Sequence, residues 1–143
     1  MTVTSILTVK GRDVVSIEPT ADLKAASALL SARRIGALVV LGAGGRLAGI
    51  LSERDIVRAL AQRGTAAFAE QVGQVMTRNV ATCSEDESIA SLMERMTSGK
   101  FRHMPVVKNN ALVGLVSIGD VVKDRLEMME RETEAMRDYI RSA

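Results

Sequence analysis

The chain has 143 residues, of which 47% are hydrophobic and 25% charged, with a formal net charge of +2. That length suffices for one compact unit with a sizeable core, and the composition excludes a disordered or low-complexity protein. Cations and anions are interspersed, as in Glu53-Arg54-Asp55, and two Phe and one Tyr are the only aromatics, so neither a gathered basic face nor stacking platforms for nucleic acid are expected.

No apolar run approaches the ~20 residues that span a bilayer. The first fifteen residues lack a basic start followed by a long apolar stretch, so they do not read as a secretory signal. The single cysteine, Cys83, cannot form an internal disulfide, which fits a reducing compartment. A cytoplasmic protein without membrane association is expected.

In chain order, a short entry strand over Val14 to Ile17 leads into a helix capped by Asp22, with an apolar face at Leu23, Ala26 and Leu30. An apolar strand over Ala37 to Leu41 follows. The cluster Gly42-Ala43-Gly44-Gly45 reads as a hairpin rather than a phosphate cradle, because a strand (Leu47 to Leu51) and not a helix comes next. A helix opens after Ser52. The same series then recurs: an entry strand over Val80 to Cys83, a helix capped by Ser88 with Ile89, Leu92 and Met96 on one face, strands over Met104 to Val107 and Leu112 to Val116 around Lys108-Asn109-Asn110, and a helix after Ser117. Residues 10–41 lie over residues 76–107 in register, and after one deletion Gly49 to Val57 lie over Gly114 to Val122. The sequence therefore repeats internally. It predicts an α/β (α+β) fold of two β-α-β-β-α repeats packed with pseudo-two-fold symmetry, because each half is too small for a good core alone. The expected divisions are repeat 1 over 5–62, a linker helix over 63–75, repeat 2 over 76–126, and a C-terminal helical extension over 127–143.

This pattern closely resembles the CBS domain, two copies of which in tandem form a Bateman module. The likeness rests on two GhhSxxD segments, Gly49-Ile50-Leu51-Ser52-Glu53-Arg54-Asp55 and Gly114-Leu115-Val116-Ser117-Ile118-Gly119-Asp120. It is supported by residues 35–40, residues 101–107 and the entry strands, covers about residues 5 to 126, and is greatest to short stand-alone two-CBS proteins. The resemblance implies a regulatory module whose cleft takes AMP, ATP, NAD(H), S-adenosylmethionine or a similar adenosine ligand, acting on an unidentified partner, with no catalytic cofactor.

In Ser52-x-x-Asp55 and Ser117-x-x-Asp120, serine and acid stand three apart where a strand becomes a helix. The carboxylate suits vicinal ribose hydroxyls; the serine and the helix N-terminus suit a phosphate. Arg54, Arg102 and His103 could add charge-assisted contacts. Adenine would lie against aliphatic side chains and main chain of the entry strands, at Ser16 and Thr82, and of the central strands, at Gly36, Ala37, Leu38, Met104 and Pro105. The competing reading is that each Ser-x-x-Asp is only a capping box.

His103 has no second histidine or neighbouring cysteine, so metal ligation is not expected. Cys83 lacks the companions of a catalytic thiol, so no enzyme is expected. The two sites should differ, because Arg102-His103 stand where repeat 1 has Gly36-Ala37, and Glu53-Arg54 stand where repeat 2 has Ile118-Gly119. Whether a site combines an Asp of one copy with strand residues of the other stays open at this level. The alternative function is a ligand-free structural dimerisation module.

From Asp120 to about Arg141 there is no Gly or Pro beyond the opening turn, and Val122, Leu126, Met129, Thr133, Met136 and Ile140 alternate at steps of four and three. Such a helix would run ~33 Å, longer than the repeat needs. A homodimer is expected from this seam.

Overall fold

The computed structural model describes residues 1–142. Its elements are α1 (Val3–Lys10), β1 (Ser16–Ile17), α2 (Leu23–Arg33), β2 (Ala37–Leu41), β3 (Leu47–Ser52), α3 (Glu53–Arg63), α4 (Val72–Val75), α5 (Ile89–Gly99), β4 (His103–Lys108), β5 (Ala111–Ser117) and α6 (Ile118–Ser142). β1 pairs parallel with β2, β2 antiparallel with β3, and β4 antiparallel with β5.

The expected caps form. Asp22 accepts a hydrogen bond from the Ala25 amide at 2.8 Å, and the Ser88 hydroxyl accepts one from the Ser91 amide at 3.1 Å. The β4–β5 hairpin turns at Asn109 and Asn110, both at positive φ (51° and 64°), the backbone that a two-residue turn between twisted strands requires and that asparagine tolerates.

Three features differ from the sequence reading. The second entry strand, expected over Val80 to Cys83, is reduced to a single bridge between Cys83 and Val106. In repeat 1 the ladder is extended by Val39 N–H donating to the Val15 carbonyl at 3.3 Å. The counterpart of Val39 is Pro105, which has no N–H to donate, so the strand cannot propagate there. The expected linker helix over 63–75 is instead a 3₁₀ segment (Gly64–Ala69) followed by the one-turn α4.

The third difference is α1, for which no element was predicted. Val3, Thr4, Ile6, Thr8 and Val9 are β-branched and weak helix formers, and packing stabilises the helix. Val3, Ile6 and Leu7 are buried with Cys83, Ile89, Leu92, Met96, Met104, Val106, Val116 and Val121, the core of repeat 2. Reciprocally, Ala67 and Val72 of the segment leading into repeat 2 are buried with Leu23, Leu30, Leu38, Val40, Leu51 and Ile56 of repeat 1. Main-chain bonds fix both crossings: Val3 N–H to the Glu87 carbonyl (3.0 Å) in one, Val72 N–H to the Ala21 carbonyl (2.8 Å) in the other. Each repeat is thus completed by the leader of the other, which makes the pair one cooperative unit.

The glycines of the two GhhSxxD segments mark where the leaders cross. A Cβ on Gly49 would lie 2.5 Å from the Thr77 carbonyl oxygen, and one on Gly114 would lie 2.7 Å from Leu7 Cδ2. Two substitutions test the crossing by urea denaturation. Leu7→Ala should cost about 2–5 kcal/mol although α1 precedes repeat 1, by loss of buried volume from the other core. Gly49→Ala should cost about 1–3 kcal/mol by overpacking against main chain that cannot yield. Wild-type stability of both variants would contradict the crossing.

Candidate functional site

Ser52 ends β3 and caps α3. Its hydroxyl accepts from the Asp55 amide (3.3 Å), and its own amide donates to Asp55 Oδ2 (2.9 Å), so the capping box is complete. This bond, with a 3.2 Å contact from the Ser52 hydroxyl, engages Oδ2. The nearest cation to Oδ1 is Arg58 at 3.9 Å. An ionised carboxylate has about four lone-pair positions, so capping leaves acceptor capacity on Asp55, and the cap and binding readings do not exclude each other here.

Asp55 faces a cleft of about 230 Å³ in which the two repeats meet. Repeat 1 supplies Gly36, Ala37, Ile50, Ser52, Glu53, Arg54, Asp55 and Arg58; repeat 2 supplies Lys100, Phe101, Arg102 and His103; Thr77 comes from the leader between them. β3 hands its chain to α3 at the cleft floor, and Glu53 N–H donates to the Gly36 carbonyl at 2.9 Å, which ties the α3 N-terminus to the start of β2. His103, at the start of β4, reaches the same place: its Cε1 lies 3.7 Å from where a Gly36 Cβ would stand. A bulkier residue at Gly36 would narrow the cleft.

The second Ser-x-x-Asp forms the same box, with Ser117 N–H donating to Asp120 Oδ2 (2.9 Å) and Asp120 N–H to the Ser117 hydroxyl (3.2 Å). Its setting is different. Lys10, the last residue of α1, donates from Nζ to Asp120 Oδ2 at 2.7 Å and to the Leu115 carbonyl at 2.8 Å. In repeat 1 the corresponding carbonyl, that of Ile50, takes the Thr77 amide at 2.9 Å, and among the described residues no ammonium pairs with Asp55. Burial pushes the Asp120 carboxyl up, but the Lys10 ammonium and the Ser117 hydrogen bonds outweigh it and hold the group below its ordinary value. Arg102-His103 and Glu53-Arg54, expected to distinguish two sites, gather instead in the one cleft, and it is Lys10 that sets the Asp120 turn apart.

Of the candidates, Gly36, Ala37, Ser52, Arg54, Asp55, Arg102 and His103 converge on the cleft. Leu38 and Met104 are fully buried in the two cores, and Pro105 is buried within β4. Ser16 is exposed on β1, and the Thr82 carbonyl accepts from Arg95 at 2.8 Å. Ser117 and Asp120 lie at the Lys10 latch. Arg58, Thr77, Lys100 and Phe101 line the cleft but were not among the candidates. Arg58 had a signal, its place one turn after Asp55, and Lys100 and Phe101 had one, their place beside Arg102 and His103; Thr77 had none, because only the crossing of its leader brings it in.

Among the described residues no group of three or more His, Cys, Asp or Glu is disposed to hold a metal ion. Burial and the nearby Glu87 push the Cys83 thiol up to about 11, against Arg95, so it stays a protonated core thiol at neutral pH. No described helix is long and apolar enough to cross a membrane.

Comparison with known proteins gives a consistent picture. The family model of the CBS domain matches residues 6–62 and again residues 72–127. The CBS domain-containing protein CBSX3, mitochondrial, of Arabidopsis thaliana is 34% identical over 115 residues, 78% of this chain and 56% of that protein. The chain thus spans about half the length of that relative. Among solved structures, a CBS-domain containing protein from Agrobacterium tumefaciens is 46% identical with a TM-score of 0.85, covering 87% of this chain and 92% of that one. A CBS domain protein from Pyrobaculum aerophilum, complexed with AMP, is 29% identical with a TM-score of 0.79, covering 93% and 99%. The CBS domain pair of protein MJ0100, complexed with 5′-methylthioadenosine and S-adenosyl-L-methionine, is 27% identical with a TM-score of 0.78, covering 91% and 98%.

The latch can be read through the sole histidine. Burial lowers the His103 pKa below 6.5, Lys10 and Arg102 add to the shift, and Asp120 and Glu53 oppose it. A lowered folded-state value means that stability is lost as pH falls from 6.5 toward that value, where the unfolded chain takes up a proton that the folded one refuses. In an NMR titration of the single imidazole, Lys10→Met should move the His103 midpoint upward. An unmoved midpoint would mean that Lys10 does not stand near His103 at the Asp120 turn.

Proposed function

The chain belongs to the CBS domain family, and from that premise we propose that it is a regulatory module that binds one adenosine-containing ligand in the cleft between its repeats. The observation that carries the proposal is the meeting of Ser52 and Asp55, at the start of α3, with Arg102 and His103 at the start of β4. In this reading the free Asp55 oxygen accepts from the ribose hydroxyls, and the adenine lies against the Ala37 and Ile50 side chains and the local main chain. The phosphate meets Arg54, Arg102 and Lys100, which are exposed cations on the cleft wall. The adenosine ligands of the two complexed relatives support the ligand class, with AMP as the first candidate and ATP, NADH and S-adenosylmethionine as competitors.

Asp120 is proposed to be a poor second site, because a ligand there must displace the Lys10 ammonium. The ligand bridges residues of both repeats, so its binding energy depends on how the repeats are set against each other. That dependence is what a sensor requires: a ligand that prefers one arrangement shifts the population toward it, and a partner protein reads the change. The module is proposed to act without catalysis of its own, as a homodimer.

Thermal unfolding with added ligand tests the reading. At 100 times its dissociation constant a ligand adds about 2.7 kcal/mol, a rise of several degrees in a domain of this size. AMP should produce that rise, Asp55→Asn should abolish it, and Asp120→Asn should retain it. No rise with any of the four ligands at millimolar concentration would leave the Ser-x-x-Asp boxes as caps and the protein as a structural dimerisation module.

A further inference from the structure

α6 is 25 residues long, yet the body of the protein occupies only its start: Val121 packs in the core of repeat 2, and every residue from Met129 to Ser142 is exposed. The stretch that projects beyond the body is short enough that a helix there is marginal in water without a packing partner. α6 also carries a continuous apolar seam. Val122, Leu126, Met129, Met136 and Ile140 are 44%, 55%, 59%, 60% and 66% exposed, and Thr133 occupies the sixth seam position with its hydroxyl already donating to the Met129 carbonyl at 2.9 Å. That leaves the Thr133 methyl for the seam.

The charges beside the seam choose the occupant and its direction. With Leu126, Thr133 and Ile140 as one core position of a heptad and Val122, Met129 and Met136 as the other, the flanking residues are Arg125, Glu132 and Tyr139 on one side and Lys123, Glu130 and Arg137 on the other. In a parallel, in-register pair, each flanking residue meets the one five positions further along the second chain. Arg125 then meets Glu130 and Glu132 meets Arg137, opposite charges in both cases and on both sides of the two-fold axis. In an antiparallel pair that matches the same seam, Glu130 meets Glu130, Glu132 meets Glu132 and Lys123 meets Arg137. Like charges so placed disfavour that arrangement.

We propose that α6 is a dimerisation helix that pairs with α6 of a second copy as a parallel, in-register two-stranded coiled coil, with the two CBS bodies at the same end. The pairing stands on the helix alone and does not depend on which ligand, if any, the cleft binds. It would place both clefts at the same end of the assembly, so that a partner could read two modules at once.

The test uses the full chain. The wild type should run at twice the chain mass in light scattering at micromolar concentration. Met129→Cys should form an intermolecular disulfide with itself under mild oxidant, against a silent background because Cys83 is buried. Glu130→Arg should weaken the dimer about tenfold or more by setting Arg125 against arginine on both sides, and adding Arg125→Glu should restore it. All these positions are solvent-exposed on α6, so the bodies should melt normally in each variant. A monomeric wild type would overturn the proposal. So would a dimer in which Met129→Cys does not cross-link to itself, or one that Glu130→Arg leaves unchanged, as the antiparallel pair predicts.

Discussion

The reciprocal crossing of the two leaders is the constraint on which the rest of the structure depends. Neither repeat closes its own core: α1 fills the one built by α5, β4 and β5, and α4 with its preceding 3₁₀ turn fills the one built by α2, β2 and β3. The exchange ties residues far apart in the chain into each half, as the bonds Val3 to Glu87 and Ile89 to Met1 illustrate. It also explains the glycine that opens each GhhSxxD segment. Gly49 and Gly114 hold places that a methyl group would deny to Thr77 and Leu7.

The same crossing makes the two halves chemically unequal. Each leader ends beside a Ser-x-x-Asp turn, but one ends in Lys10 and the other delivers Met76 and Thr77. The lysine pairs with Asp120; the threonine offers only main chain to Ile50 and leaves Asp55 facing an open cleft. Two turns with nearly identical internal geometry, Ser52 to Asp55 and Ser117 to Asp120, therefore sit in different electrostatic settings. The proposed single-ligand sensor follows from that inequality.

Much of this was legible in the sequence because repeats announce themselves twice. The registers of residues 10–41 on 76–107 and of residues 49–57 on 114–122 located α2, α3, α5 and α6, the central strands and both Ser-x-x-Asp turns. What stayed hidden arises from contacts that no periodicity encodes. α1 is a short run of β-branched residues whose helicity is imposed by the core that it fills. The second entry strand fails because Pro105 cannot donate the bond that Val39 donates. Leu38 and Met104 were grouped with the site because they share strands with Ala37 and His103, but alternation along a strand turns them into the cores. Thr77 lines the cleft only because its leader crosses there.

An open site at Asp55 beside a self-occupied one at Asp120 is tested most directly by calorimetric titration of the wild type with AMP, through its stoichiometry. One AMP per chain is expected in the wild type. Two equivalent AMP per chain would contradict it, because Lys10 would then be no barrier, and an absence of binding heat with AMP, ATP, NADH and S-adenosylmethionine alike, across a range of temperatures, would contradict the cleft itself.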